Sequence, residues 1–271
     1  DVIHEGELPL AYDAEFARLL ARIMAALPIP PVVVRVNNRK ILTGFYRALG
    51  VSDSAGTLRT VDKLGKIGPE AVSRLLQDEL GLSAEDAGRC LALGQIRSAD
   101  ASFADEVRAF GLSHPLLDEG LRELETVMCA CRDLPEGSVM ADLSVARGLD
   151  YYTGTVYEGY LVGHEGLGAV CSGGRYDDLA GDEKVKLPGV GVSIGVTRLL
   201  GYLFGRGLLN PTRSTPAQVL VALPSEAARP EAAAVADALR ARGVPTDVFH
   251  APQKYGKQIR SAEKRGIPYV W

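Results

Sequence analysis

The sequence predicts an α+β chain: a mostly antiparallel sheet with helices to one side, interrupted by a helical insertion and followed by a small α/β domain. Three observations carry that expectation. Strand-like runs follow one another at 139–144, 155–162, 169–172 and 189–195, and a glycine-rich turn, Gly163-His164-Glu165-Gly166, joins the second to the third as a hairpin. Residues 51–135 hold few strand signals and read as short amphipathic helices. Beyond a proline-rich linker at 210–216 the order becomes strand, helix, strand, helix, which builds a parallel sheet.

Taken in order, Asp1-Val2-Ile3 reads as the middle of a strand. Asp13 is the expected N-cap of a helix whose apolar residues Phe16, Leu19, Leu20, Ile23, Met24 and Leu27 recur every three or four positions. Pro28, Pro30 and Pro31 end it. Val32-Val33-Val34-Arg35-Val36 is a β-branched strand, and Asn37-Asn38 caps a second helix closed by Gly50. Arg39 and Lys40 are expected on that helix's solvated face. In the middle stretch Ser83 and Ser113-His114-Pro115 mark helix starts, with His114 a loop or cap residue. Val139–Ser144 is a strand. In the next one Val156, Glu158, Tyr160 and Val162 face one way and Tyr157, Gly159 and Leu161 the other. Gly173-Gly174 is expected to end the following strand, and Val196 to begin a helix carrying Arg198. The last strand, at Ile267-Pro268-Tyr269-Val270-Trp271, stops as it forms, so both ends are expected to be cut from a longer protein.

Bulk properties narrow the class. The chain has 271 residues, 46% hydrophobic and 24% charged, a globular composition with room for more than one domain. A net charge of −4 exerts no global pull toward nucleic acid but leaves room for a local basic face. Cys90, Cys129, Cys131 and Cys171 form no CxxC pair, and no secretory segment precedes them; reduced thiols and a cytoplasmic location are expected. Cys129 and Cys131 fall on different helix faces, so no metal site is expected there. No apolar run is long enough to cross a bilayer.

The run from Ala146 to Tyr157 sets a cation, a carboxylate and two neighbouring tyrosines between glycines, a mixture suited to a polar pocket. Arg147 offers fixed donors for a phosphate or carboxylate, and Tyr151 and Tyr152 supply flat walls with hydroxyl tips. In an extended segment only one of the two tyrosines can face a ligand, and Tyr152 is the expected one. Arg147 could instead pair with Asp150. Glycine-rich Gly189–Gly195 would let a nucleotide base or backbone lie close, but the phosphate-loop lysine and the dinucleotide fingerprint are both missing.

Arg147-Gly148-Leu149-Asp150-Tyr151-Tyr152-Thr153-Gly154 resembles a signature of histidyl-tRNA synthetases. Ser172-Gly173-Gly174-Arg175-Tyr176-Asp177 looks like that family's second histidine-binding signature, and Gly189 to Leu199 looks like motif 3 of class II synthetases. The resemblance covers nearly the whole chain. It implies a class II catalytic core at 1–50 and 136–210, a helical insertion at 51–135 and a truncated anticodon-binding domain at 217–271, with motif 1 and most of motif 2 lying before residue 1. It also implies histidine–tRNA ligase activity using histidine, ATP, Mg²⁺ and tRNA(His), in a homodimer, with no covalent protein nucleophile.

The resemblance implies roles residue by residue. Asp1 would hold the histidine ammonium; Tyr151, Tyr152, Tyr176 and Gly174 would form the imidazole pocket. Arg147 would stabilise charge at the ATP α-phosphate, and Arg198 would bind ATP phosphate beside the adenine. Motif 3 often has an acidic residue just before its arginine, where this chain has Thr197. Arg175 reads as structural, paired with Asp177 or Asp178. Lys254, Lys257, Arg260 and Lys264 form one basic helix face, suited to RNA phosphate or to solvent. The rival readings are a catalytically inactive histidine-sensing paralogue, such as the regulatory subunit of ATP phosphoribosyltransferase, and a binding module without catalysis.

Overall fold

The computed structural model describes residues 1–146, 151–182 and 185–271. It divides into two compact units, Asp1–Leu203 and Phe204–Trp271. In the first, β1 (Val2–Ile3), α1 (Ala11–Ala26), β2 (Val32–Asn38) and α2 (Arg39–Ala48) precede a helical stretch. That stretch holds α3 (Ser54–Val61), α4 (Leu64–Ile67), α5 (Pro69–Asp78), α6 (Ala84–Leu93), β3 (Arg97–Ser98), α7 (Phe103–Arg108) and α8 (Pro115–Ala130). Then come β4 (Val139–Asp142), β5 (Thr155–Leu161), β6 (Cys171–Tyr176), β7 (Gly189–Ile194) and α9 (Val196–Gly205).

These strands form one seven-stranded sheet in the order β1-β7-β6-β5-β2-β4-β3. Every neighbouring pair is antiparallel except β2 and β4, which run parallel. The alternation in the sequence sets the two faces. Val32, Val34 and Val36 of β2 are buried and share a face with Leu161, Gly159 and Tyr157 of β5, their register partners. The Tyr157 hydroxyl donates to the Asp13 carbonyl of α1 at 2.7 Å, so this is the face that packs on helices. Glu158, Ser172 and Ser193 are successive register partners on the opposite face, as are Val156, Gly174 and Gly191.

The helical stretch shares its hydrophobic core with the sheet. α8 lies so close along α2 that a methyl group on Gly44 would lie 2.3 Å from the Leu117 nitrogen, and one on Gly120 2.6 Å from the Ile41 nitrogen. Side-chain caps start several helices as the sequence suggests: Asn38 accepts from Lys40, Ser83 from Asp86, and the His114 ring from Leu116.

Four local expectations are corrected. Asp13 lies inside the first turn of α1, fully buried, and the capping position is Leu10 with no side-chain cap. Lys40 is not on a solvated face, because Glu119 and Glu123 of α8 hold its ammonium at 2.7 and 2.5 Å. The middle stretch supplies a sheet strand, since Arg97–Ser98 pairs with β4. β6 runs on past its two glycines to Tyr176, because the ladder to β7 continues to Gly189.

The second unit contains β8 (Val219–Val221), α10 (Arg229–Ala241), β9 (Thr246–Val248), α11 (Tyr255–Arg265) and β10 (Tyr269–Val270). Its strands form a parallel sheet in the order β10-β8-β9. Leu220, Leu223, Ala236 and Ala262 centre its own small core. Buried Gln258 of α11 accepts from the Leu223 nitrogen at 2.8 Å and donates to the Leu223 carbonyl at 2.9 Å, satisfying the backbone where β8 ends. Among the described residues no helix is long and apolar enough to cross a membrane.

Candidate active site

The face of the sheet turned away from α1 carries a cleft of roughly 250 Å³. Its floor is the β6–β7 ladder, where Gly174 lies opposite Gly191 and Tyr176 opposite Gly189. Side chains fill the space these glycines leave. A methyl group on Gly191 would fall 1.2 Å from Asp1 Oδ1, and one on Gly174 would fall 2.8 Å from Tyr152 Cδ1. Asp1, Tyr151, Tyr152 and Tyr176 therefore line one cleft, with Gly174 beneath the Tyr152 ring.

Tyr151 stands edge-on to both other rings, 4.8 Å from Tyr152 and 6.2 Å from Tyr176. The expectation that one of Tyr151 and Tyr152 turns away is corrected. β5 begins only at Thr155, so strand alternation does not govern the preceding residues. Burial, reinforced by Tyr151, pushes the Tyr152 phenol up to about 12. It remains a neutral donor throughout the physiological range. The cleft thus offers one carboxylate and three phenols, a set fitted to a small cationic and aromatic ligand.

A second, larger groove of roughly 580 Å³ lies beside the first. It is lined by Ala169, Val170, Thr197 and Arg198, among others. Arg198 occupies the first turn of α9 and donates through Nη1 to the Ala169 carbonyl at 2.6 Å. Ser172 and Ser193 line both cavities, so the two meet at this cross-strand pair. A ligand bridging them would pass over two exposed hydroxyls. Arg147, with Gly148 and Asp150, lies outside the described residues.

Behind the cleft, on the helix side of the sheet, runs a charged network that sequence reasoning only partly anticipated. Arg175 does pair with Asp177, at 3.1 Å, but its shorter bond is to Asp13 of α1, at 2.7 Å. Burial raises the Asp13 carboxyl above its ordinary range, and Arg175 offsets that only in part. The partners stand 162 positions apart, so no local pattern marks the pair. A second cluster lies towards the far edge of the sheet. There fully buried Asp142 accepts from Arg35 at 3.2 Å and Arg97 at 2.8 Å, and the Arg35 guanidinium sits 4.4 Å above the Tyr160 ring.

The described lining of the groove includes no carboxylate, and among the described residues no group of three or more potential metal ligands is assembled. The groove's described lining therefore brings no carboxylate to a magnesium ion.

Residues 5–199 match the family model described as histidyl-tRNA synthetase. The chain belongs to the histidyl-tRNA synthetase family. Residues 218–271 match the anticodon binding domain, which covers the second unit's sheet and helices. Among curated relatives, the histidine–tRNA ligase of Micrococcus luteus is 52% identical over all of this chain and 59% of its own length. That of Thermobifida fusca is 49% identical over all of this chain and 62% of its own length. A crystal structure of histidyl-tRNA synthetase from a Nostoc species superposes with a TM-score of 0.74 at 37% identity, over 98% of this chain and 63% of the other. The chain therefore spans about three fifths of the length of the relatives it matches. Within the anticodon-binding match, Lys254, Lys257, Arg260 and Lys264 are all exposed along α11 and the residue before it.

Proposed function

We propose that the whole protein is a histidine–tRNA ligase, which joins histidine to ATP as histidyl-adenylate and passes the histidyl group to the 3′ end of tRNA(His). One observation carries the reading: a cleft with one carboxylate and three phenols opens, across Ser172 and Ser193, onto a groove that carries Arg198. In this reading the Asp1 carboxylate holds the substrate ammonium and Tyr151, Tyr152 and Tyr176 surround the imidazole. The histidine carboxylate then points towards the serine pair. There it attacks the ATP α-phosphorus, the bond to pyrophosphate breaks, and charge grows on the non-bridging oxygens.

Arg147 stabilises that charge and Arg198 holds the nucleotide. No protein nucleophile is needed, so catalysis is positioning and electrostatics. In the second step a terminal ribose hydroxyl of the tRNA attacks the acyl carbon and AMP leaves. The basic face of α11 meets RNA phosphate. A cytoplasmic homodimer and a Mg²⁺ requirement complete the reading, with the metal's ligands supplied from outside the groove residues described above.

The test is histidine-dependent pyrophosphate–ATP exchange on the parent protein, with Arg147→Ala beside it. Exchange with histidine alone among amino acids, falling ~10²-fold or more in the variant, supports the ligase and the role of Arg147. Histidine binding without exchange would make the protein a sensor, and neither activity would leave an RNA-binding module.

A further inference from the structure

Residues 151–154 carry the two tyrosines of the cleft outside any strand, so something other than the sheet ladder must fix them. Backbone bonds hold the end of this segment, the Gly154 carbonyl accepting from the Arg39 nitrogen at 2.9 Å, and side-chain contacts from behind the sheet add to them. The Thr153 nitrogen donates to the Arg175 carbonyl at 2.9 Å, and the Thr153 hydroxyl donates to Asp177 Oδ2 at 2.6 Å. The other oxygen of Asp177 accepts from Arg175 Nε. Arg175 Nη1 reaches Asp13 Oδ2, and Nη2 donates to the Leu8 carbonyl. Gly154 rests on the stem of this arginine: a methyl group there would lie 2.9 Å from Arg175 Cδ.

We propose that Arg175, gripped by Asp13 and Asp177 and tied to Thr153, is a positioning residue that sets the tyrosine pair for the histidine imidazole. Successive residues of β6 alternate faces, so Gly174 and Tyr176 meet the cleft while Arg175 projects to the opposite side. It cannot touch a ligand in the cleft and acts through Thr153 and Asp177. A guanidinium suits this task because its planar fork serves Asp177, Asp13 and Leu8 at once, whereas a lysine ammonium is a single point of charge. Asp13 anchors the far end, being fully buried in α1, where its own carbonyl also receives the Tyr157 hydroxyl. The relay thus refers the cleft's tyrosines to the helix layer, through Asp13, as well as to the sheet, through the Arg175 carbonyl.

The proposal rests on the ligase reading, and the test separates the two. In the full-length parent protein, Thr153→Val and Arg175→Lys are compared with wild type in histidine-dependent pyrophosphate–ATP exchange, with melting temperatures alongside. The expected result is a rise in KM for histidine of about threefold in Thr153→Val and about tenfold in Arg175→Lys, with KM for ATP within about twofold, because a misplaced contact acts only on the ligand it positions. Thr153→Val keeps the shape of the side chain, so its melting temperature stays near wild type. An unchanged KM for histidine in both variants overturns the proposal, as does a parallel rise in both KM values.

If wild type performs no exchange, the ligase reading has failed. Histidine dissociation constants measured by equilibrium dialysis then replace KM in the same comparison, and a wild type that binds no histidine overturns the relay as well.

Discussion

At the scale of single residues, the cleft is built as much by missing side chains as by present ones. Gly191 and Gly174 leave the volume that Asp1 and Tyr152 occupy. Gly191→Ala puts a methyl group where the Asp1 carboxylate lies, but the displaced group is the end of a flexible side chain. Under the proposed function the expected outcome is a rise of about tenfold in KM for histidine with little change in stability, since a displaced carboxylate would lose its charge-assisted contact to the substrate ammonium while the sheet ladder keeps its bonds. Steady-state exchange kinetics beside a denaturant melt check it. Gly174→Ala differs, because its methyl group would meet the backbone carbonyl of Thr155 as well as the Tyr152 ring, both at 2.8 Å. It is expected to lower stability and, under the proposed function, histidine affinity as well. Tyr151 and Tyr152 were legible in the sequence because a solvent-facing turn has no need of two neighbouring tyrosines, and the glycines because a strand rich in them leaves space, whereas Asp1 and Tyr176 came only through the resemblance. The orientation of Tyr151 was not, since it depends on where β5 starts, and the segment ahead of Thr155 carries no alternation to follow.

At the scale of elements, the helix layer sets where the network behind the cleft stands. α8 lies along α2 at glycine-to-backbone distance, and the approach lets Glu123 of α8 reach both Asn38, at 2.7 Å, and Lys40 at the start of α2. Gly120→Ala forces the methyl group against the Ile41 backbone, and relief requires the helices to part. A loss of about 1–3 kcal/mol is expected, the usual cost of overpacking. A urea melt should show a lower midpoint with unchanged slope, and a slope change would mean that the packing loosens instead. Propensity and capping signals made most of these helices readable, as the Asn38, Ser83 and His114 caps illustrate. What stayed hidden is pairing across long sequence distance. Lys40 meets α8 and Asp13 meets β6, and nothing near either residue in the chain distinguishes a buried partner from a solvated face or a helix cap. The two-residue β3 was missed for the same reason: Arg97 and Ser98 are strand only because β4 offers an edge.

At the scale of the molecule, most of the buried apolar residues among those described fall into two clusters, one spanning the large sheet and its helices, the other in the second unit. The expectation is that damage to one cluster costs that cluster's own burial first. Leu220 is fully buried in the smaller core, on the central strand of a three-stranded sheet. Leu220→Ala removes its side chain from a core with few others to compensate, at a cost of about 2–5 kcal/mol. That is a large fraction of what so small a core supplies. In the parent protein, hydrogen exchange is expected to quicken in β8, α10 and α11 while β5, β6 and β7 keep their wild-type protection. Under the proposed function, histidine-dependent pyrophosphate–ATP exchange then continues near the wild-type rate, because the cleft and groove belong to the first unit, and charging of tRNA(His) falls. Faster exchange in both units together would mean that the two cores unfold as one, and an equal loss of both activities would mean that adenylate formation depends on the second unit's fold.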